Sequence, residues 1–252
     1  MEISFLTALI LAASGFLAGF IDSISGGGGI IAIPVLLSLG LPPHMALGTN
    51  KFQSTFGSFT ATCRYYKKGL FSLKDTWIGI LFTFAGAVAG AVLIQLVQAD
   101  FLTKAIPLML LAIFIYTLFS PDMGGSDRLV RMPGYLFYPL FGVLLGFYNG
   151  FFGPGTGSFW TIALVILMGL NLKKATGTTK LMNFTSNIVS LTVFIIGGKV
   201  IFLAGLCMGA GQMAGAWAGS HMVIKHNTKF IRIFFLIVVA TTIIRMIWKE
   251  YF

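Results

Sequence analysis

Cysteine is almost missing: the 252 residues hold only Cys63 and Cys207, each inside an apolar run, with no CxxC spacing and no cysteine–histidine cluster. Disulfide frameworks and thiol redox motifs therefore drop out, and both cysteines read as packing residues. Histidine is equally sparse. His221 and His226 have no cysteine or carboxylate beside them, so no metal site is expected, and His44, after "GLPP", reads as a solvated loop residue. Acidic residues number 7 against 17 Lys and Arg, and charged side chains make up 10% of the chain. The net charge of +10 still does not point to nucleic acid, because such a face needs Lys and Arg clustered on a soluble surface, and no such cluster exists here.

Other absences narrow the function. No nucleophile stands with a general base, so no catalytic residues are expected and no cofactor is implied. The "GGGG" run is not followed by Gly-Lys-Ser/Thr at P-loop spacing. The opening residues Met1, Glu2 and Ile3 lack the basic region of a cleaved signal peptide, so the first apolar run is expected to stay as a membrane helix.

What the chain has is hydrophobicity. With 57% hydrophobic residues and a mean hydropathy of +0.92, it is too apolar for a soluble domain. The runs from Phe5 to Ile24, Trp77 to Val97 and Phe230 to Trp248 match the roughly 20 helical residues that cross a hydrocarbon core of about 30 Å. An all-α, polytopic membrane protein in a lipid bilayer is expected.

The chain reads as one unit written twice. An offset of 127 superposes Gly19 on Gly146, Asp22 on Asn149 and Gly26 on Gly153. After a two-residue insertion an offset of 129 pairs Thr49 with Thr178, Lys51 with Lys180, Gly69 with Gly198 and Gly90 with Gly219. Duplication of this kind marks secondary transporters whose site lies between the repeats. The expected organisation is a first membrane repeat over 1–119, a Pro/Gly/Asp linker over 120–134 and a second repeat over 135–252.

Five apolar segments are expected per half: 4–22, 28–40, 44–64, 73–97 and 101–119, then 135–151, 157–169, 174–196, 200–223 and 229–248. The second of each five, at about 12 residues and roughly 18 Å, is too short to span. These are read as broken or re-entrant helices, giving about 8 to 10 membrane segments. With five crossings per half and the first residue outside, Arg64, Lys67, Lys68, Lys74, Arg128, Arg131, Lys173, Lys174, Lys225, Lys229 and Arg232 face the cytoplasm, against Lys104, Lys199, Arg245 and Lys249. That is 11 against 4 for inverted repeats; four crossings per half give at best 9 against 6.

Lys51 and Lys180 lie within long apolar helices at equivalent positions, and a cation in hydrocarbon costs about 2.5 to 3.5 kcal/mol on insertion scales. They should face a cavity, a counter-ion or a substrate. Snorkelling, or a structural pair of Lys51 with Asp22, is the alternative. The glycine breaks "GFIDSISGGGG" and "GFYNGFFGPGTG" each precede a short helix starting near Gly28 or Gly155, and helix N-termini attract anions. Candidate anion-binding residues are Lys51, Lys180, Ser25, Gly27, Gly28, Gly29, Thr49, Asn50, Gly155, Thr156, Gly157, Ser158, Thr179 and Asn183. Close helix packing would also explain the glycines. Asp22, the only carboxylate in the apolar interior, reads as a proton-coupling group or a salt-bridge partner.

At these residues the sequence resembles the TauE/SafE family of bacterial membrane transporters, the sulfite exporter family. "GFIDSISGGGG", Pro34, "GLPPHMALGTNKFQSTFGS", "GFYNGFFGPGTGSF" and "KATGTTKLMNFTSNIVS" carry the resemblance from end to end. It implies a multi-pass inner-membrane protein of about eight helices that moves sulfite, sulfoacetate or related organosulfonates, often outward. Where related sequences have Asp in the second break, this one has Asn149, so the role the resemblance would give an acid there is absent.

The leading expectation is a secondary carrier, a probable exporter in family terms, whose partner is a small anionic solute held near the midplane. An uncoupled anion channel is the alternative. A scaffold subunit without transport is a third reading. "GAVAG" and "GAWAG" faces pack either inside the monomer or between copies of a homo-oligomer.

Overall fold

The computed structural model describes residues 4–119 and 129–225. Among these residues the chain forms nine α-helices and no strand: α1 (Phe5–Ser25), α2 (Gly28–Ser38), α3 (Pro43–Lys67), α4 (Leu73–Leu96), α5 (Ala99–Phe119), α6 (Gly134–Phe151), α7 (Thr156–Ile166), α8 (Leu172–Ile196) and α9 (Phe202–Lys225). The expected segment 229–248 and residues 120–128 of the expected linker lie outside the described residues.

Local chemistry sets the helix ends. Ser4 caps α1 by accepting the Thr7 N–H at 3.2 Å, and Asn171 caps α8 through Lys174 N–H at 3.0 Å. Pro43 opens α3, where a missing N–H leaves no bond unmade. Gly26, at φ +80°, turns the chain out of α1, its N–H bonded to Asp22 O at 2.8 Å.

The helix before the first break runs further than the expected 4–22, while the helix before the second ends at Phe151 as expected. α1 continues through Asp22 to Ser25 and α6 through Asn149 to Phe151, so these two side chains occupy last helical turns.

Three described helices are long and apolar enough to cross a membrane: Phe5–Ile24, Leu73–Leu96 and Leu172–Ile196. α3 is as long as α8 but polar, with Thr49, Asn50, Lys51, Gln53, Ser54 and Ser58 all buried, because it is wrapped by α1, α2, α8 and α9. The apolar outside is carried by neighbours such as Leu9, Leu81, Phe84, Leu144 and Leu206, all exposed on helix faces that suit lipid. The short helices are the reverse. α2 is buried around Ile30, Ile33 and Leu36, and α7 around Trp160 and Leu164, each inside its own apolar cluster.

α1 packs most closely on α9, and α4 on α6. Gly19 faces Gln212, while Gly211 and Gly215 press on the Ala12 and Phe16 backbone, so α1 and α9 run in the same direction. Gly142, Gly146 and Gly150 meet Phe82, Thr83 and Ala87 in the same way. The "GAVAG" and "GAWAG" faces thus pack inside one chain, where the lack of side chains lets backbones touch.

α3 and α8 run oppositely: Gly48 lies by Phe194, Ser58 Oγ accepts from Asn187 Nδ2 at 3.4 Å, and Gly177 lies by Tyr65. Contacts define two ends. Lys173 Nζ donates to Ile224 O at 2.9 Å, Arg64 to Trp217 O at 3.0 Å, and Arg131 N–H to Leu167 O at 2.8 Å. That end collects Arg64, Lys67, Lys68, Lys74, Arg131, Lys173, Lys174 and Lys225, against Lys104 and Lys199 at the other. His44 is no solvated loop residue. It sits half-buried in the first turn of α3 with Nε2 3.1 Å from Ile94 O, because the helix starts at the prolines themselves.

Candidate functional site

The two breaks interlock at the centre of the bundle. Gly26 and Gly157 meet backbone to backbone, and Gly29 lies against Pro154. α2 and α7 start at N-caps Gly27 and Gly155, which have no side chain to bond their first-turn N–H groups. Gly155, at φ +78°, holds a conformation that only glycine adopts without strain.

Each lysine crosses to the break of the opposite half. Lys51 Nζ donates to the Asn149 carbonyl and, at 2.7 Å, to Asn149 Oδ1. Lys180 Nζ donates to the Asp22 carbonyl and pairs with Asp22 Oδ2 at 3.2 Å. Both lysines are 1% exposed. The alternative pairing of Lys51 with Asp22 is not the one formed: the carboxylate meets Lys180. The reason is helix direction. α8 runs antiparallel to α3 and so carries its lysine to the depth at which α1 ends. Each ammonium also lies at the negative C-terminal end of a broken helix, a favourable place for a cation.

The two lysines take their partners from opposite breaks. In the antiparallel pairing of α3 with α8, Lys51 and the depth of Lys180 differ by about 13 residues, or roughly 20 Å along the helices. The candidate residues divide into two half-sites. At the first, Lys51 and Asn149 crowd Gly153, where a β-carbon would come 2.5 Å from Nζ. Asn50 joins them, its Nδ2 3.5 Å from the β-position of Gly29, its Oδ1 held by Gln53 Nε2 at 2.8 Å. At the second, Lys180 and Asp22 lie with Asn183, whose Nδ2 is 3.0 Å from the β-position of Gly157 and whose buried Oδ1 has no partner among the described residues.

Other candidates are occupied elsewhere. Thr49 Oγ1 accepts Ile201 N–H at 3.0 Å, Thr156 Oγ1 donates to Gly153 O at 2.6 Å, and Thr179 bonds Thr161 at 3.1 Å. Gly28 packs on Asp22 Cβ, and Ser158 lies half-buried in the first turn of α7. Ser25 ends α1, and its side chain lies outside the described residues.

Four residues escaped sequence reasoning. Tyr65 Oη donates to Ser23 O at 2.8 Å and Tyr148 Oη to Pro154 O at 2.7 Å, so each break is tied by a phenol. Asn149 Nδ2 donates to Ser186 Oγ. Gln212, fully buried on α9, has no partner for either amide atom among the described residues. An amide in the middle of a small-residue apolar helix was its only signal.

The family model for sulfite exporter TauE/SafE matches residues 11–246. The chain belongs to the TauE/SafE family. It is 42% identical over 250 residues to a probable membrane transporter protein of Haemophilus influenzae, covering 99% of this chain and 98% of that one. It is 45% identical over 235 residues to the probable membrane transporter protein YfcA of Escherichia coli, covering 93% and 87%. A plant relative, sulfite exporter TauE/SafE family protein 5 of Arabidopsis thaliana, is 31% identical over 96 residues, 38% of this chain and 21% of that one. No solved structure matches the chain. The names of these TauE/SafE relatives are those of membrane transporters, not enzymes.

Proposed function

We propose that this TauE/SafE protein is a multi-pass inner-membrane secondary transporter that exports a small anion, a sulfur oxyanion or organosulfonate, by alternating access. The observation that carries the reading is the reciprocal exchange of Lys51 and Lys180 between the two breaks. Buried ammonium groups beside uncapped helix starts replace the water around an anion, and they do so where two rigid units can rock.

The units are inverted repeats, 1–119 and 135–252. Three features support inversion: the antiparallel run of α3 and α8, the pairing of Ser58 with its counterpart Asn187, and the symmetric contacts of Gly48 with Phe194 and Gly177 with Tyr65. The end with eight of the ten described terminal Lys and Arg residues faces the cytoplasm.

Reconstituted protein should bind and move sulfite, sulfate or sulfoacetate in preference to a carboxylate control. Thermal stabilisation by the bound anion reads the preference. Lys51→Ala should abolish it. Anion flux no greater than in protein-free vesicles, and the same in Lys51→Ala and Lys180→Ala, would leave a scaffold, and steady anion current without coupling would leave a channel.

A further inference from the structure

We infer that the two half-sites are inequivalent: the Lys51 half-site takes the solute anion, while at Lys180 the Asp22 carboxylate already fills the corresponding place, so one chain binds one anion. The inference rests on the anion-transport reading above and gives it a location and a stoichiometry.

The half-sites match nearly group for group, which makes their difference informative. Lys51 and Lys180 each close the carbonyl end of a broken helix, and an uncapped eleven-residue helix starts beside each. Helix dipoles therefore contribute alike to both and cannot separate them. One formal charge does. Lys180 has the Asp22 carboxylate at 3.2 Å, whereas Lys51, equally buried, meets only the carbonyl and amide oxygens of Asn149. A buried ammonium with neutral partners alone remains uncompensated, and a negative solute supplies what is missing.

Amide donors stand at both half-sites, Asn50 Nδ2 at the start of α2 and Asn183 Nδ2 at the start of α7, so the formal charge alone separates the two. Asn50 is 3% exposed, and Gln53 holds its Oδ1 so that its Nδ2 lies 3.5 Å from the β-position of Gly29, at the start of α2 beside Pro154. Its counterpart Thr179 spends its hydroxyl on Thr161. The Lys51 half-site thus presents an ammonium, an amide donor and a helix start without a side-chain cap beside the Gly153–Pro154 turn, with no carboxylate paired to its ammonium.

Calorimetric titration of the full chain in nanodiscs with methanesulfonate, and with sulfite under anaerobic conditions, tests this by stoichiometry. The wild type should bind one anion. Asp22→Asn should vacate the second place and bind two. Asn149→Asp should fill the first place and bind none, or at least tenfold more weakly. The exchange Asp22→Asn/Asn149→Asp keeps the sum of charges and should bind one again, which also shows that carboxylates at either position are tolerated by the fold. One site in Asp22→Asn, or wild-type binding in Asn149→Asp, overturns the inference while leaving the transporter reading intact. A wild type that binds neither anion overturns both.

Discussion

Gly26 of the first break and Gly157 of the second touch through their backbones, so that a β-carbon on either would collide with the Cα of the other. The contact fixes how deeply the two broken helices interleave. Gly26 is doubly constrained, since its φ of +80° disfavours any L side chain. Gly26→Ala should destabilise the protein by about 2 to 4 kcal/mol, combining backbone strain with overpacking. Gly40 provides the control. It has φ +84° with nothing within 4 Å of its β-position, so Gly40→Ala should cost only about 1 kcal/mol of strain. Thermal unfolding of both variants in detergent checks the order, and equal losses would mean that the Gly26–Gly157 contact is slack.

The Lys180–Asp22 pair should behave as a coupled unit. Removing one partner leaves an ionised group in a low-dielectric setting, so Lys180→Met and Asp22→Leu should each destabilise, and the double variant should lose less than the sum of the two. Asp22 is 14% exposed, and solvent screening moderates the effect to a coupling of about 1 to 3 kcal/mol. A double-mutant cycle on thermal stability measures it, and strict additivity would show that the pair is not formed.

Glycines at the α1–α9 seam should tolerate nothing larger. A β-carbon on Gly215 runs into the Phe16 carbonyl, so Gly215→Leu must push two helices apart and should cost about 3 kcal/mol. On the same helix Leu206 is 51% exposed on the outer face, and Leu206→Ile should stay within about 0.5 kcal/mol of wild type. Expression level and melting temperature should separate the two clearly; matching values would argue that α9 does not pack on α1 as described.

Some of this arrangement was readable from residue order and some was not. Glycine runs and isolated lysines stand out in an apolar chain, so the starts of α2 and α7 and the burial of Lys51 and Lys180 followed from local chemistry. Partners did not follow, because they depend on helix direction in three dimensions. Asp22 looked nearest to Lys51 in its own half, yet antiparallel α3 and α8 hand it Lys180 instead. The same geometry gives each lysine a partner in the opposite half. Gln212 was hidden for another reason: one amide among small apolar residues carries no periodic signal, and only its burial without a partner marks it. His44 was misplaced because a Pro-Pro pair reads as a loop but equally well opens a helix.

Gly69 and Gly198 offer a direct test of repeat orientation. They occupy matching places in the two halves, share φ +65°, and both have nothing within 4 Å of their β-positions. A cysteine at either therefore meets the same modest strain and the same open surroundings, and labelling differences report sidedness alone. Gly69 follows the basic end of α3, and Gly198 follows α8 at the opposite end of the bundle. In a background with Cys63 and Cys207 replaced by serine, a membrane-impermeant maleimide should modify Gly198→Cys in intact cells and Gly69→Cys only in inverted vesicles. Parallel repeats with four crossings each would put both positions on one face, so labelling of the two from the same side would sink the inverted arrangement and the reciprocal lysine exchange built upon it.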